Sequence, residues 1–171
     1  MTSAEAALDS GAGAPPGAPV SLSVAADAAD AAARLAAGLA PADPALVLLF
    51  GSPRETLAPV AEALAAALPG AEIAGCSSAG EIGAAGYQRG TIVAIGFPRA
   101  AFRAEVVALE DQASIPVSAW LARLRRLRAG FPDRAGAQLF GILLADGMAR
   151  HEDVLVAALD AALPGVPVVG G

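Results

Sequence analysis

The segment "ALVLLFGSPRET", residues 45–56, predicts how this chain folds. Its first six residues form a continuous apolar run, which is typical of a strand buried on both faces of a sheet. Gly51 ends the run, and Ser52 is a suitable N-cap because Pro53 fits the first helical position and Glu55 completes a capping box. The segment therefore predicts a buried strand that leads directly into a helix.

The flanking sequence extends this strand and helix into a larger α/β unit. The helix is expected to run through Leu68, where a Pro-Gly break precedes a second strand, "AEIAGC", at residues 71–76. Upstream, "VSLSV" at residues 20–24 reads as a strand, and residues 27–39 have the pattern of a helix. The first half of the chain thus alternates strand and helix.

The middle of the chain changes character. Thr91–Phe97 and Phe102–Leu109 are two strand-like runs separated by a short loop, which is the spacing of a β-hairpin. Pro116–Arg128 follows with a helical pattern that places Trp120 among leucines, so this tryptophan is expected in the core. The predicted fold class is α/β, with a mixed sheet flanked by helices, two similar βαβ units and an antiparallel hairpin.

A repeat supports the second βαβ unit. When the chain is shifted by 95 residues, "LLFGS" and the following "ALPGAEIAG" fall on "LLADG" and "ALPGVPVVG". Two such units are expected to open their strand C-termini onto a shared side, where ligands of open α/β sheets bind. Three pairs of equivalent positions define the shift: the Leu-Pro-Gly triplets at 68–70 and 163–165, Leu49 and Leu144, and Gly75 and Gly170.

Composition excludes several classes of function. Eleven basic against seventeen acidic residues give a formal charge of −6, which disfavours nucleic acid and anionic membranes as partners. The chain contains one cysteine, so an internal disulfide is impossible and a reducing, cytoplasmic setting fits. No signal peptide or membrane-spanning run is visible. Residues 1–19 are rich in Ala, Gly and Pro and are expected to be a disordered leader before a single domain at 20–171.

Small residues cluster where four predicted strands end. Glycine and serine there allow a ligand to approach the backbone, and free N–H groups at the start of a following helix can hold a carboxylate or phosphate. Such turns are also rich in these residues for structural reasons. The predicted ligand-binding residues are Gly51, Ser52, Gly75, Cys76, Ser77, Ser78, Gly80, Glu81 and Asp146, and Gly170-Gly171 forms the fourth turn. The backbone N–H groups of the first two turns would hold an acidic group, with Glu81 or Asp146 available for an amine.

The same stretch, "GCSSAGE" at residues 75–81, does not fit a common catalytic motif. Its glycines are one residue too far apart for the Gly-x-Ser-x-Gly nucleophile elbow. A thiol enzyme using Cys76 would need His151, the only histidine, as its base. Ser78 and Glu81 also have capping-box spacing, so this segment is either a short helix start or a glycine-rich loop. No metal-binding, Walker A or dinucleotide motif is present, so we expect neither a metal nor a catalytic residue.

The order of these motifs resembles the N-terminal part of the FIST domain, a sensory module of bacterial signal-transduction proteins that also occurs in some F-box proteins. The resemblance covers about Val20–Gly171, and "GCSSAGEI" at residues 75–82 is its most specific portion. It implies a non-catalytic, ligand-sensing domain, with amino acids as the proposed ligand class. The family's glycine-cysteine-serine turn falls on residues 75–78, its Gly-Glu pair on residues 80–81, and its second glycine pair on residues 170–171.

The resemblance also implies partners and one alternative. Expected partners are a FIST C-terminal domain or an output module such as a histidine kinase, a cyclase or a chemotaxis-type protein. Some family members are haem proteins that report nitric oxide; no cofactor is otherwise expected, and here His151 would be the axial ligand. Such domains ordinarily continue past the second glycine pair, so Gly171 suggests a truncated copy with an incomplete site.

Overall fold

A computed structural model of the chain describes residues 15–52, 54–83, 86–110, 114–147 and 151–171. It divides the chain into two compact units, Met1–Val106 and Val107–Gly171. The predicted leader falls outside the described residues except at its last five positions. The capping box at residues 52–55 cannot be followed either, because Pro53 and the side chain of Glu55 lie outside them.

The first unit contains a four-stranded sheet in the order β1-β6-β2-β3 and a separate two-stranded hairpin formed by β4 and β5. Strands β2 and β3 are parallel, whereas β6 runs antiparallel to both β1 and β2. The predicted mixed α/β sheet is therefore confirmed. Its elements are β1 (Val20–Ala25), α1 (Ala31–Leu39), β2 (Pro44–Gly51), α2 (Arg54–Ala67), β3 (Glu72–Ser77), β4 (Glu81–Gly83), β5 (Gly86–Gln88) and β6 (Thr91–Pro98).

The apolar run that opened the sequence forms the centre of this unit. Val47 and Leu49 of β2 are almost fully buried, and they pack in one cluster with Leu35 and Leu39 of α1 and Leu64 of α2. Each such side chain stabilises the fold by about 1.5–3 kcal/mol through removal of apolar surface from water. A strand with neighbours on both sides and helices against it explains why the run has no polar alternation.

The predicted hairpin between Thr91–Phe97 and Phe102–Leu109 is wrong. Only the first of the two runs forms a strand, β6, and residues 102–109 have no strand assignment. The physical reason is that β6 is an interior strand whose two sides are already taken by β1 and β2. The antiparallel part of the sheet therefore comes from chain segments that are distant in sequence.

The second unit consists of a short parallel strand pair and two helices. Trp120 is 2% exposed and packs with Leu124, Leu155 and Leu159, and its ring N–H donates to the carbonyl of Glu110 at 3.0 Å. The predicted core role of this tryptophan is confirmed. The elements are α3 (Val117–Ala129), β7 (Gly141–Leu143), α4 (Glu152–Ala162) and β8 (Val168–Gly170).

The sequence repeat corresponds to two parallel βαβ units, which differ by one residue in the register of their strand pairs. Gly75 of β3 faces Leu49, whereas Gly170 of β8 faces Leu143, one residue before Leu144, the position that the 95-residue shift makes equivalent to Leu49. A slip of one residue turns a side chain to the other face of a strand. Leu143 is the residue that packs against the helices of the second unit, so burial of its side chain selects this register.

Candidate functional site

In the first unit, four strand ends converge at one end of the sheet, which we call the site end. Gly51 pairs with Ser77, so parallel β2 and β3 terminate side by side. Thr91 begins antiparallel β6 at the same level and pairs with Ala25, the last residue of β1. The predicted turns at Gly51-Ser52 and at residues 75–78 are thus brought together, as parallel strands require.

A carboxylate lies buried beneath these turns. Glu81 is only 3% exposed and is the one charged residue in the core of the described residues. The hydroxyl of Ser78 donates to its Oε1 at 2.5 Å, and the hydroxyl of Thr91 donates to its Oε2 at 2.9 Å. The segment is a loop entering β4, so of the two alternatives left open by the sequence the glycine-rich loop is found.

These two hydrogen bonds make the burial of Glu81 tolerable. An ionised carboxylate taken out of water without partners is strongly destabilising, and hydroxyl donors to a charged acceptor recover about 1.5–3 kcal/mol each. Within the described residues, every buried side-chain nitrogen and oxygen atom has a hydrogen-bond partner. Glu81 therefore links the turn after β3 to the start of β6 through hydrogen bonds to its two carboxylate oxygens.

The β4–β5 hairpin adds an aromatic and a cationic side chain to the site end. The hydroxyl of Tyr87 donates to the carbonyl oxygen of Ala79 at 3.1 Å, and Nε of Arg89 donates to the Tyr87 hydroxyl at 3.1 Å. This hydrogen bond is the leading cause that raises the pKa of Arg89. Arg89 is exposed and forms no ion pair among the described residues. The Nε atom of Arg89 is thus held by Tyr87, whereas its two terminal nitrogens form no ion pair among the described residues.

Three predicted site glycines lie where an added side chain would meet neighbouring atoms, and at Gly75 those atoms are backbone. A side chain at Gly75 would collide with the backbone carbonyl of Leu49 on the neighbouring strand. At Gly51 it would meet Ile92 and Leu57 in the core, with both contacts at 3.1 Å. At Gly80 it would collide with the Tyr87 phenol, so this glycine makes room for the hydrogen bond to Ala79. Of the three glycines, Gly80 is the one whose added side chain would displace an exposed residue, Tyr87.

Backbone N–H groups of the two turns already have acceptors inside the protein. The amide of Ser78 donates to the carbonyl of Gly51 at 3.2 Å, and the amide of Ser52 donates to that of Thr91 at 3.4 Å. The Ser52 hydroxyl also accepts from the amide of Gly90 at 3.4 Å. Ser77 is exposed at the end of β3. The side chains of Ser77 and Arg89 therefore offer more to a ligand than these two amides do.

Cys76 is half-buried in β3, where it faces Phe50. Burial raises the pKa of its thiol above the ordinary value, because removal from water penalises the thiolate. A nucleophilic cysteine needs the opposite shift. The environment of Cys76 thus disfavours the thiol chemistry that the sequence raised as an alternative.

The remaining predicted residues belong to the second unit. Asp146 is exposed shortly after β7, and Gly171 donates its amide to the carbonyl of Leu143 at 3.2 Å. His151 is exposed and immediately precedes α4, whose first turn contains Glu152 and Asp153. Within the described ranges, no three acidic, histidine or cysteine side chains are grouped so that they could hold a metal ion.

Three contributors were missed from the sequence: Tyr87, Arg89 and Thr91. Tyr87 and Arg89 stand in the glycine-rich segment that follows Glu81, and their polar and aromatic character could have marked that segment as more than a linker. Thr91 gave no local signal, because its role depends on β6 lying beside β2.

The first unit is thus a mixed α/β fold in which two turns meet at the site end. Comparison with known protein families shows the family of the chain. The model of the FIST N domain family matches residues 45–171, so the chain belongs to that family, whose members are sensory modules of signal transduction. No match was found among curated proteins or among solved structures. None of the helices, as far as the structure describes them, has the length and apolarity to cross a bilayer.

Proposed function

We propose that this chain is a non-catalytic sensory domain that binds a small ligand, an amino acid, at the site end of its first unit. The observation that carries the proposal is the convergence of the β2 and β3 turns with the Tyr87–Arg89 pair over the buried Glu81. Membership of a sensory family supports the same function. The expected outputs are a FIST C-terminal domain or a kinase, cyclase or chemotaxis partner.

The geometry changes the roles first assigned from the sequence. Arg89 is the group best suited to a ligand carboxylate, because an arginine fixed at Nε can still present its terminal nitrogens to two carboxylate oxygens. Glu81 is buried, and each of its carboxylate oxygens accepts a hydrogen bond from a hydroxyl group. It therefore stabilises the turn after β3 and does not contact a ligand amine directly. The exposed hydroxyl of Ser77 and the carbonyl of Ala79 are the nearby acceptors in this proposal. Asp146 lies in the second unit and has no role in it.

Calorimetric titration of the full chain with the twenty amino acids tests the proposal. Arg89→Gln should weaken the affinity of any amino acid that binds by at least about tenfold, because a charge-assisted pair is replaced by a neutral one. Arg125→Gln is the matched control, since Arg125 is exposed on α3. Absence of heat and of any shift in melting temperature across the panel would contradict ligand binding. Binding that Arg89→Gln leaves unchanged would refute this site.

The haem alternative makes a separate claim about His151. It requires a Soret band on addition of haem that is lost in His151→Ala. We rank it below the amino-acid proposal because His151 is exposed immediately before α4.

A further inference from the structure

A concave surface of the first unit lies at the opposite end of the sheet from the site end. It is a cleft of about 270 Å³ at the starts of β2 and β3, and it is lined by both charged and apolar side chains. Arg99 and Arg103 supply guanidinium groups, Glu72 supplies a carboxylate, and Phe102 supplies an aromatic face. The family motifs at residues 75–82 play no part in this cleft.

Arg99 is fixed in place by the protein around it. Its Nη2 donates to the carbonyl oxygens of Gly70 at 2.8 Å and Pro44 at 3.1 Å, and its Nε lies 3.5 Å from Oδ2 of Asp43. A guanidinium carries five N–H donors, so the two on Nη1 remain without a partner among the described residues. Ordering this side chain costs nothing further when a ligand arrives, which favours binding.

The shape of the turn before β3 explains this arrangement. Gly70 has a φ of 85°, in the region that favours glycine, and this conformation accompanies the presentation of its carbonyl to Arg99. Phe102, which lines the same cleft, makes an edge-to-face contact with Phe97, with ring centroids 5.3 Å apart. The cleft thus has a fixed cation next to a fixed aromatic ring.

We propose that this cleft binds a small organic monocarboxylate, with its carboxylate on Nη1 of Arg99 and its apolar part against Phe102. Glu72 selects against more highly charged ligands, because its carboxylate in the same cleft repels a dianion more strongly than a monoanion. The volume suits a ligand of metabolite size. The site is separate from the proposed sensory site, so either can fail without the other.

Titration of the isotopically labelled full chain, followed by the amide signals of Gly70, Glu72 and Ala104, tests this proposal with three probes. Phenylacetate should shift these signals in a saturable way at millimolar concentration. Phenylacetamide has nearly the same shape without the charge and should bind at least about tenfold more weakly. Inorganic phosphate should also be weak, because of Glu72.

Two substitutions separate binding from folding. Glu72→Gln removes the repulsive carboxylate from an exposed position and should tighten phenylacetate binding by about two- to fivefold. Arg99→Gln should weaken it. An increase in affinity cannot be mistaken for damage to the fold, so Glu72→Gln decides the matter if Arg99→Gln is unstable. Arg89→Gln, at the other end of the sheet, should change nothing.

Three results would overturn the proposal. The first is absence of saturable shifts at these amides with tens of millimolar phenylacetate. The second is equal binding of phenylacetamide, which would show that the charge is not recognised. The third is weaker binding of phenylacetate to the Glu72→Gln protein than to the unaltered chain, or tighter binding of phosphate than of phenylacetate by the unaltered chain.

Discussion

The hydroxyl of Ser78 donates to the carboxylate of Glu81 across 2.5 Å, within the range of a strong charge-assisted hydrogen bond. The two residues are three apart, the spacing of a helix capping box, yet no helix forms. Here the serine bonds the carboxylate itself while Thr91 satisfies its other oxygen. One short segment is thereby fixed to a strand that begins ten residues later.

Removing the buried carboxylate should destabilise the first unit. We expect Glu81→Leu to lower the free energy of unfolding by about 2–3 kcal/mol, because both hydroxyls lose their charged acceptor. Glu81→Gln should cost less, since an amide can still accept one hydroxyl. Hydrogen exchange of the β3 and β6 amides measures the change in this unit, and Ser21→Ala, at an exposed position of β1, is the control.

A double-mutant cycle checks that the effect comes from the hydrogen bond. Thr91→Val should cost about 1–2 kcal/mol in the wild-type chain and clearly less in the Glu81→Leu background. An equal loss of stability from Thr91→Val in the two backgrounds would mean that Thr91 and Glu81 stabilise the unit independently. That result would contradict a stabilising hydrogen bond between them.

Gly75 should not tolerate a methyl group. Gly75→Ala places Cβ against the carbonyl of Leu49, so β3 must move away from β2, at a cost of about 1–3 kcal/mol. Gly147→Ala is a suitable control because nothing lies within 4 Å of the position that its added Cβ would occupy. Equal stability of the two variants, measured by urea unfolding, would contradict the close approach of β2 and β3.

Gly80→Ala should separate ligand binding from stability. The added methyl collides with the exposed end of Tyr87, which can swing outward, so we expect a loss of less than about 1 kcal/mol in folding. Because Tyr87 holds Arg89, amino-acid affinity in the calorimetric assay should nevertheless fall. Tyr87→Phe, which lacks the hydroxyl, should reproduce the loss. Full affinity in both variants would show that the Tyr87 contact does not position Arg89.

Cys76 should react slowly with iodoacetamide at neutral pH. Burial raises the pKa of its thiol, so the thiolate fraction is smaller than in a free cysteine and grows about tenfold per pH unit until the pKa is reached. The rate should therefore keep rising beyond the pH at which the reaction of free cysteine levels off. Fast labelling at pH 7, followed by mass spectrometry, would instead revive the thiol-enzyme hypothesis.

Local sequence signals predicted most elements of the fold. The apolar run at 45–50, the Pro-Gly break at residues 69–70 and the leucine spacing around Trp120 each report burial or chain termination, which neighbouring residues determine. The hairpin prediction failed because pairing of β6 with β1 depends on residues far apart in the chain. The repeat gave no sign that the two strand pairs differ by one residue in register, because packing of the Leu143 side chain in the second unit determines that difference.

The sequence predicted which turns form the candidate site, but it did not predict which chemical groups in those turns are available to a ligand. Sequence alone indicated that residues 75–81 would form one wall, and the parallel β2–β3 pair explains why Gly51 lies beside it. It could not show that Glu81 would be buried, because that depends on Thr91 arriving from another strand. Nor could it show that the backbone amides of Ser52 and Ser78 would donate hydrogen bonds to carbonyl groups of the protein itself.

The interior position of β6 also bears on the order of events during synthesis. Val20 pairs with Gly96, so β1 must wait until β6 has been made before it gains a neighbouring strand in this sheet. Until then β2 and β3 can assemble with α2 as a local unit. Strand β1 is thus expected to dock last in this sheet, and a nascent chain halted before β6 should leave β1 open to proteases.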